Sequence, residues 1–413
     1  MNRYNRICVI GMGYIGLPTS AVFAENGVDV LGVDVNASAV ESINAGQPHI
    51  SEPDLDVLLR KVVAAKKLRA ALAPEPADAF ILAVPTPFKG DHEPDISFIE
   101  AACRSIAPVL APRNLVILES TSPVGTTELI SEWLAAARPD LTFPHQNGES
   151  SDIRIAHCPE RVLPGQILRE VVENDRVIGG LTRKCGQAAA TLYKVFVKGE
   201  CHLTTARTAE LAKLTENAYR DVNIAFANEL SLICDSLKIN VWDMIRVANM
   251  HPRVNILSPG PGVGGHCIAV DPWFIVAADQ KNSRLIRAAR EVNNLKPHFI
   301  VGKVKAAAAK LKEPIIACLG LSYKSNVDDM RESPAIEIVE HLAKDKVGKL
   351  LLIEPHIDTP PKQLKALGLE LWDFDRAIQH ADILLLLVDH RAFLQVDREA
   401  LKGKIIIDTR GVW

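Results

Sequence analysis

The hexapeptide Gly11-Met12-Gly13-Tyr14-Ile15-Gly16 constrains this chain more than any other feature. It follows a short, mostly apolar run at 6–10 and opens a helical pattern. A second strand pattern at 29–34 then closes on Asp34, 18 residues after Gly16. Each glycine meets a different demand. Gly11 permits the tight turn, Gly13 lets the backbone approach a diphosphate, and Gly16 lets helix and strand pack closely. The N–H groups that open the helix face the phosphates. Asp34 accepts hydrogen bonds from a ribose and repels a 2′-phosphate, so the unit selects NAD over NADP.

The remaining periodicity extends this unit into a fold. Strand patterns recur at 79–84, 114–119, 153–157 and 176–179, with helical stretches such as 98–110 and 127–137 between them. Such alternation predicts a doubly wound parallel sheet of Rossmann type. Val84-Pro85-Thr86-Pro87 and the segment 120–127 fall at carboxyl ends of strands, where open α/β sheets bind ligands. From Thr208 to Leu237 there is neither Gly nor Pro, and Leu211, Leu214, Ala218, Val222, Ala225 and Ile233 keep helical spacing. One helix of about 30 residues spans roughly 45 Å. It reads as a spine joining two domains and packing on a partner subunit; two shorter helices with a break are the alternative. Strand patterns resume at 315–319, 349–353, 382–388 and 404–408, and Ser333-Pro334 marks a helix start. The fold class is therefore α/β: an N-terminal Rossmann-type domain at 1–203, a central long-helix region at 204–308, and a second Rossmann-like domain at 309–413.

Bulk properties exclude several classes. Net charge is −3, which gives no broad nucleic-acid surface, so an anionic ligand must be held by local Arg and Lys. No apolar run reaches the roughly 18–20 residues of a membrane span, and the chain enters its first strand without a targeting segment, which points to the cytoplasm. The eight cysteines show no CxxC and no small-domain spacing, which argues against a disulfide framework or a zinc site; no metal is expected.

The chemistry concentrates in residues 259–271, PGPGVGGHCIAVD, with four glycines in the six residues 260–265. Such a backbone can approach a ligand closely. Cys267 at its end is poorly placed for core packing and suits a nucleophile, whereas the other seven cysteines read as inert small hydrophobes. Lys213, Asn217 and Arg220 share a helical face. A cation and an amide there can meet developing negative charge, although a solvated face gives the same spacing. Arg161, His251, Arg253, Lys324 and Arg331 are further candidates for a diphosphate or carboxylate.

Together these motifs resemble the UDP-glucose/GDP-mannose dehydrogenases over the whole chain. The resemblance rests on Gly11 to Gly16 with Asp34, on Ala83-Val84-Pro85-Thr86-Pro87, and on Glu119-Ser120-Thr121-Ser122-Pro123-Val124-Gly125. It also rests on Pro159-Glu160-Arg161-Val162, on Glu210 through Asn217, on the Cys267 loop, and on Lys324 with Arg331-Glu332-Ser333. It implies an NAD domain, a central helical dimerisation region and a UDP-binding domain in a homodimer that serves polysaccharide biosynthesis. It implies Cys267 as nucleophile and Lys213 as proton donor and acceptor. Tyr14, Ile15, Asp34, Thr86 and Thr127 would contact NAD, with Arg331 reaching it from the C-terminal domain. Arg161, Val162, Lys213, Asn217, Arg220, His251, Arg253, Gly264 and Lys324 would contact the UDP-sugar. One departure stands out. The UDP-glucose enzymes carry Lys three residues after the nucleophile, followed by Asp; here Val270 precedes Asp271, in the context His266-Cys267-Ile268. That favours UDP-N-acetyl-D-mannosamine over UDP-glucose or another UDP-hexose.

The implied reaction is a four-electron oxidation of the sugar C6 alcohol by two NAD, through a thiohemiacetal and a thioester on Cys267. The alcohol proton goes to Lys213 or to a water held by Asp271, and the hydrolytic water is oriented by Glu160 or Thr121. Short-chain epimerases need Tyr-x-x-x-Lys, and no tyrosine here is followed by Lys four residues on. A β-hydroxyacid dehydrogenase has no use for the cysteine loop or a third domain, and a nucleotide-sensing module would not need Cys267.

Overall fold

The computed structural model describes residues 4–90, 92–163, 165–265 and 267–413. The chain forms two compact units, Met1–Thr215 and Glu216–Trp413.

The first unit is built on an eight-stranded sheet. Its order across the sheet is Cys201–Thr205, Arg176–Gly180, Arg154–His157, Leu115–Leu118, Ala79–Leu82, Arg6–Ile10, Asp29–Val33 and Leu68–Ala71. The central strands Ala79–Leu82 and Leu115–Leu118 are buried at every residue. Successive side chains enter opposite cores: Ile7, Val9, Ile81 and Ile117 on one face, Cys8, Ile10, Phe80 and Val116 on the other. The wholly parallel expectation needs correction at one place. Arg176–Gly180 pairs antiparallel with Arg154–His157, and Cys201–Thr205 runs parallel to Arg176–Gly180. The last two strands therefore run against the other six. Among the described residues, the connection between Arg154–His157 and Arg176–Gly180 holds the seven-residue helix Ile167–Glu173, shorter than the usual helix of a parallel crossover, and antiparallel neighbours need no crossover. Both edge strands, Leu68–Ala71 and Cys201–Thr205, escape the sequence reading. Their exposed positions dilute the apolar signal.

The spine is a single helix, Ala206–Leu237, of 32 residues, or about 48 Å at 1.5 Å per residue. It starts in the first unit and continues into the second. The second unit adds Asp271–Ala278 and a second long helix, Arg284–Ala308, which carries Pro297 inside it. Its sheet is parallel, in the order Lys349–Ile353, Ile315–Leu319, Ile383–Leu386 and Ile405–Asp408. Ser333 caps the helix Pro334–Lys344, its hydroxyl accepting from the Ala335 N–H at 3.2 Å. Among the described residues no helix is long and apolar enough to cross a membrane.

Candidate active site

The three glycines of the first loop are required for different reasons. Gly11 has φ +93°, and a Cβ there would lie 2.6 Å from the Ala83 carbonyl oxygen. A Cβ on Gly16 would lie 1.8 Å from the Gly11 carbonyl oxygen. A Cβ on Gly13 would meet nothing within 4 Å. The fold thus demands glycine at 11 and 16 but not at 13, and the free space at 13 is what a diphosphate crossing a helix N-terminus needs. Asp34 is half-buried at the end of the second strand. Its two oxygens accept from the N–H groups of Met12 and Asn36, each at 2.9 Å, which ties the carboxylate to the loop. These residues fit NAD. Tyr14 is 37% exposed, and Ile15 is half-buried. The Thr86 hydroxyl donates to the Thr121 carbonyl at 2.7 Å and Ser120 donates to the Val84 carbonyl at 2.6 Å, joining the two loops at the carboxyl ends of their strands.

Glu210 fixes the start of the spine helix to this unit. Its carboxylate accepts from the N–H groups of Gly125 and Thr127 at 2.7 and 2.8 Å and from the Thr127 hydroxyl at 2.6 Å. It therefore caps the helix Thr126–Ala137, where a negative charge is favoured. Burial pushes the Glu210 carboxyl up, and the Thr127 and Gly125 bonds oppose that shift. Thr127 is fully buried with its donors directed at Glu210.

Lys213 follows on the same helix and is 7% exposed, its Nζ 3.3 Å from Glu160 Oε1. Glu160 Oε2 accepts from the Val162 N–H at 2.9 Å. His157 is fully buried, and burial holds its ring down to about 3, helped by the Lys213 ammonium and opposed by the Leu118 backbone. A neutral imidazole therefore lies in the electrostatic reach of Lys213. Arg161 is exposed, and with Val162 it lines a shallow cleft with Pro159, Glu170 and Asn174. Behind it, Arg176 lies 3.4 Å from the buried Glu119 and 4.4 Å over the Tyr193 ring, and Tyr193 donates to Glu119 at 3.0 Å.

In the second unit, Cys267 occupies a turn just before the helix Asp271–Ala278, and its carbonyl accepts from the N–H groups of Val270 and Asp271 at 3.1 and 2.9 Å. Cys267 is half-buried, unlike Cys8, Cys103, Cys158, Cys185, Cys234 and Cys318, which are buried. Burial pushes Cys8 and Cys318 up to about 12 and Cys158 to about 11, values at which a thiol is inert. Cys201, on the edge strand, is the other half-buried thiol. Asn217 is 6% exposed and donates through Nδ2 to Asp271 Oδ2 at 2.5 Å, so the spine helix holds the residue four positions after Cys267. His266 lies outside the described residues.

The glycine loop is backed closely. A Cβ on Gly264 would lie 2.5 Å from the Glu332 carbonyl oxygen, and one on Gly262 would lie 2.9 Å from Pro334. The Gly265 N–H donates to the Arg331 carbonyl at 3.3 Å. The start of the loop rests on a buried polar chain that sequence reading did not find. The Gly260 N–H donates to Asn228, Asn228 to Asn293, and Asn293 to Asp221, all at 2.8–2.9 Å, and Arg290 donates to Asp221 at 2.6 Å. These bonds tie the two helices and the start of the loop together, although Asp221 Oδ2 and Arg290 Nε are buried without a partner among the described residues.

The remaining candidates lie apart from these contacts. Arg220, His251, Arg253 and Lys324 are exposed. Arg220 thus does not share the burial of Lys213 and Asn217, despite the common helical face. The Arg331 guanidinium pairs with Asp329 at 2.6 Å.

Comparison with known proteins matches this architecture along the chain. The NAD binding domain of the UDP-glucose/GDP-mannose dehydrogenase family matches residues 5–197, its central domain 207–295 and its UDP binding domain 317–413. The chain belongs to this family. An NDP-N-acetyl-D-galactosaminuronic acid dehydrogenase of Ralstonia nicotianae is 61% identical, over 99% of this chain and 96% of that protein. A UDP-N-acetyl-D-mannosamine dehydrogenase of Yersinia pestis is 57% identical, over 99% of each chain. The solved UDP-D-ManNAc dehydrogenase of Pyrococcus horikoshii superposes with a TM-score of 0.89 at 39% identity, covering 99% of this chain and 96% of that one. The protein is an NAD-dependent UDP-sugar dehydrogenase, and its Gly13 space and Asp34 carboxylate belong to a domain whose family binds NAD.

Proposed function

We propose that this dehydrogenase oxidises the C6 alcohol of UDP-N-acetyl-D-mannosamine to the carboxylate, with two NAD and one water consumed per sugar. The observation that carries the chemistry is the half-buried Cys267 in a turn whose next helix opens on Asp271, itself held by Asn217. Val270, in place of the lysine of the glucose enzymes, supports an N-acetylated sugar. The named relatives act on N-acetylated sugars of both the manno and the galacto series. The galacto epimer is accordingly the second reading, and UDP-glucose the third.

NAD, when bound, accepts a hydride, and Gly11, Gly13, Tyr14, Ile15, Gly16, Asp34, Thr86, Thr127 and Arg331 are the residues assigned to hold it. The protein's own groups do the rest. Lys213, or a water held by Asp271, takes the proton of the alcohol. Asn217, one turn beyond Lys213 on the helix, donates to the reacting oxygen. The Cys267 thiolate bonds to the aldehyde carbon as a thiohemiacetal, which keeps the aldehyde from leaving; loss of a second hydride, for which a second bound NAD would be the acceptor, and of the hydroxyl proton turns it into the thioester. Water oriented by Glu160 or Thr121 then cuts the C–S bond of the thioester, releasing acid and thiol. Arg161, Val162, Arg220, His251, Arg253, Gly264 and Lys324 hold the UDP-sugar.

The finer assignment follows the same reading: an NAD domain at 1–203, a central region at 204–308, a UDP-binding domain at 309–413, and a cytoplasmic homodimer in polysaccharide biosynthesis. The spine supports the homodimer, because Leu211, Tyr219, Phe226, Ile233 and Leu237 are 44–69% exposed along it. The test is a panel of UDP-sugars followed by NADH absorbance and mass spectrometry. Two NADH per UDP-N-acetyl-D-mannosamine, one uronate and no free aldehyde are expected. Equal or faster turnover of UDP-glucose overturns the substrate assignment. Uronate formed at wild-type rate by Cys267→Ala overturns the covalent one.

A further inference from the structure

A histidine pair on the second unit has no part in this chemistry. His298 lies on the helix Arg284–Ala308, and Glu337 and His341 lie one turn apart on the helix Pro334–Lys344. The Nε2 atoms of His298 and His341 are 3.8 and 3.9 Å from the same oxygen, Glu337 Oε1. One ligand atom from each residue lies within 4.8 Å of the others, and the two rings meet edge to face at 5.0 Å. Two imidazoles and a carboxylate are a zinc ligand set. Bonds of about 2.0–2.2 Å in a tetrahedron put ligand atoms roughly 3.3 Å apart, so each histidine must close on Glu337 by about half an ångström, and the two histidine nitrogens, within 4.8 Å of each other, must close by up to about 1.5 Å. Both histidines have room for it, since their side chains are 55% and 39% exposed. A water would complete the fourth position of a bound ion.

A second cluster, Glu354, His356 and His390, is a useful contrast. There the Asn326 N–H donates to His390 Nδ1 at 2.9 Å, so Nε2 carries the proton and donates to Glu354 at 3.0 Å. Glu354 also accepts from the N–H groups of Leu321 and Ser322. Glu354 and His390 are thus satisfied without an ion. Among the described residues, the His298 cluster shows the long contacts to Glu337 and the contact between its two rings in place of close hydrogen bonds.

We propose that His298, Glu337 and His341 bind a zinc-class divalent ion that clamps these two helices together. The position gives the clamp a consequence. Pro297, next to His298, and Pro334, one turn before Glu337, both lie against Gly262, within 3.3 and 2.9 Å of where its Cβ would be. An ion here therefore joins the two elements that back the Cys267 loop, without touching Cys267. The site holds the loop's support in place and takes no part in the redox steps.

The test is calorimetric titration of the untagged, full-length Cys267→Ser protein with zinc chloride, so that the loop thiol cannot serve as ligand. One zinc per chain is expected, with a rise in Tm, while magnesium, which prefers oxygen ligands, neither binds nor shifts Tm. His298→Ala and His341→Ala should each weaken zinc more than about 100-fold, because even outer-shell losses cost about 10–100-fold. Glu337→Gln, which keeps the side-chain volume, should weaken it as well. Both histidine variants should keep the zinc-free Tm of the parent. Absence of stoichiometric zinc binding, or binding that survives His298→Ala and His341→Ala, overturns the proposal.

Discussion

Gly13→Ala separates what the first loop does for the fold from what it does for the cofactor. In the structure the new methyl meets no protein atom within 4 Å, and Gly13 does not sit in the left-handed region. The fold should accept it with a stability change within about 0.5 kcal/mol. If the diphosphate of NAD passes over Gly13, the methyl occupies ligand space. Overpacking of that kind costs about 1–3 kcal/mol, which is roughly 5- to 140-fold in Kd. Gly16→Ala is the contrasting case. Its methyl would lie 1.8 Å from the Gly11 carbonyl oxygen, a backbone atom that moves only with the whole turn. That variant should lose Tm and NAD affinity together. Thermal unfolding without ligand and calorimetric titration with NAD, on both variants, make the comparison. Wild-type NAD affinity in Gly13→Ala would show that the diphosphate does not cross this glycine. A Tm loss in Gly13→Ala as large as in Gly16→Ala would show that position 13 serves the fold.

Asp34→Ala should lower the ratio of kcat/KM for NAD over NADP, and unchanged selectivity in initial rates would remove Asp34 from the ribose site. Lys213→Ala and Asn217→Ala should each depress turnover by about 10²–10³-fold while NAD Kd stays constant, and wild-type turnover in either would return it to a structural role. His157 gives a pH prediction. Its folded value, about 3, lies below the ordinary 6.5, so its contribution to stability is complete above about pH 6.5 and is lost as pH falls toward 3. By pH 5 the loss is about 2 kcal/mol. His157→Gln should shrink the fall in unfolding free energy between pH 7.5 and pH 5 by that amount, measured by urea denaturation; an identical fall in wild type and variant would refute a buried neutral ring.

Much of the site is legible in the sequence because its signals are local. Turn chemistry depends on neighbouring residues, so the glycine loop, the Asp34 strand end and the Ser333 cap can all be read from short segments. The unbroken helical period likewise predicts the single helix Ala206–Leu237. Edge strands carry a weaker local signal, which is why Leu68–Ala71 and Cys201–Thr205 are absent from the sequence reading.

What the sequence by itself determined is the alternation of elements, the glycine loop after the first strand and the unusual placement of Cys267. Tertiary structure alone decided which charged and polar side chains are buried and on what. Lys213 and Asn217 are buried while Arg220, on the same helical face, is exposed. Glu210 reads as an ordinary helix acid until the N–H groups of Gly125 and Thr127 arrive from 83–85 residues away. Asp221, Arg290, Asn293 and Asn228 look like solvated residues on two separate helices until packing joins them under Gly260. The direction of the strand Arg176–Gly180 was hidden in the same way, because a strand's period is identical whichever way it runs. The physical reason is common to all of these. Periodicity and turn preference are fixed by residues within a few positions, whereas the partner of a buried polar group or a strand is chosen by closure of the chain over long separations.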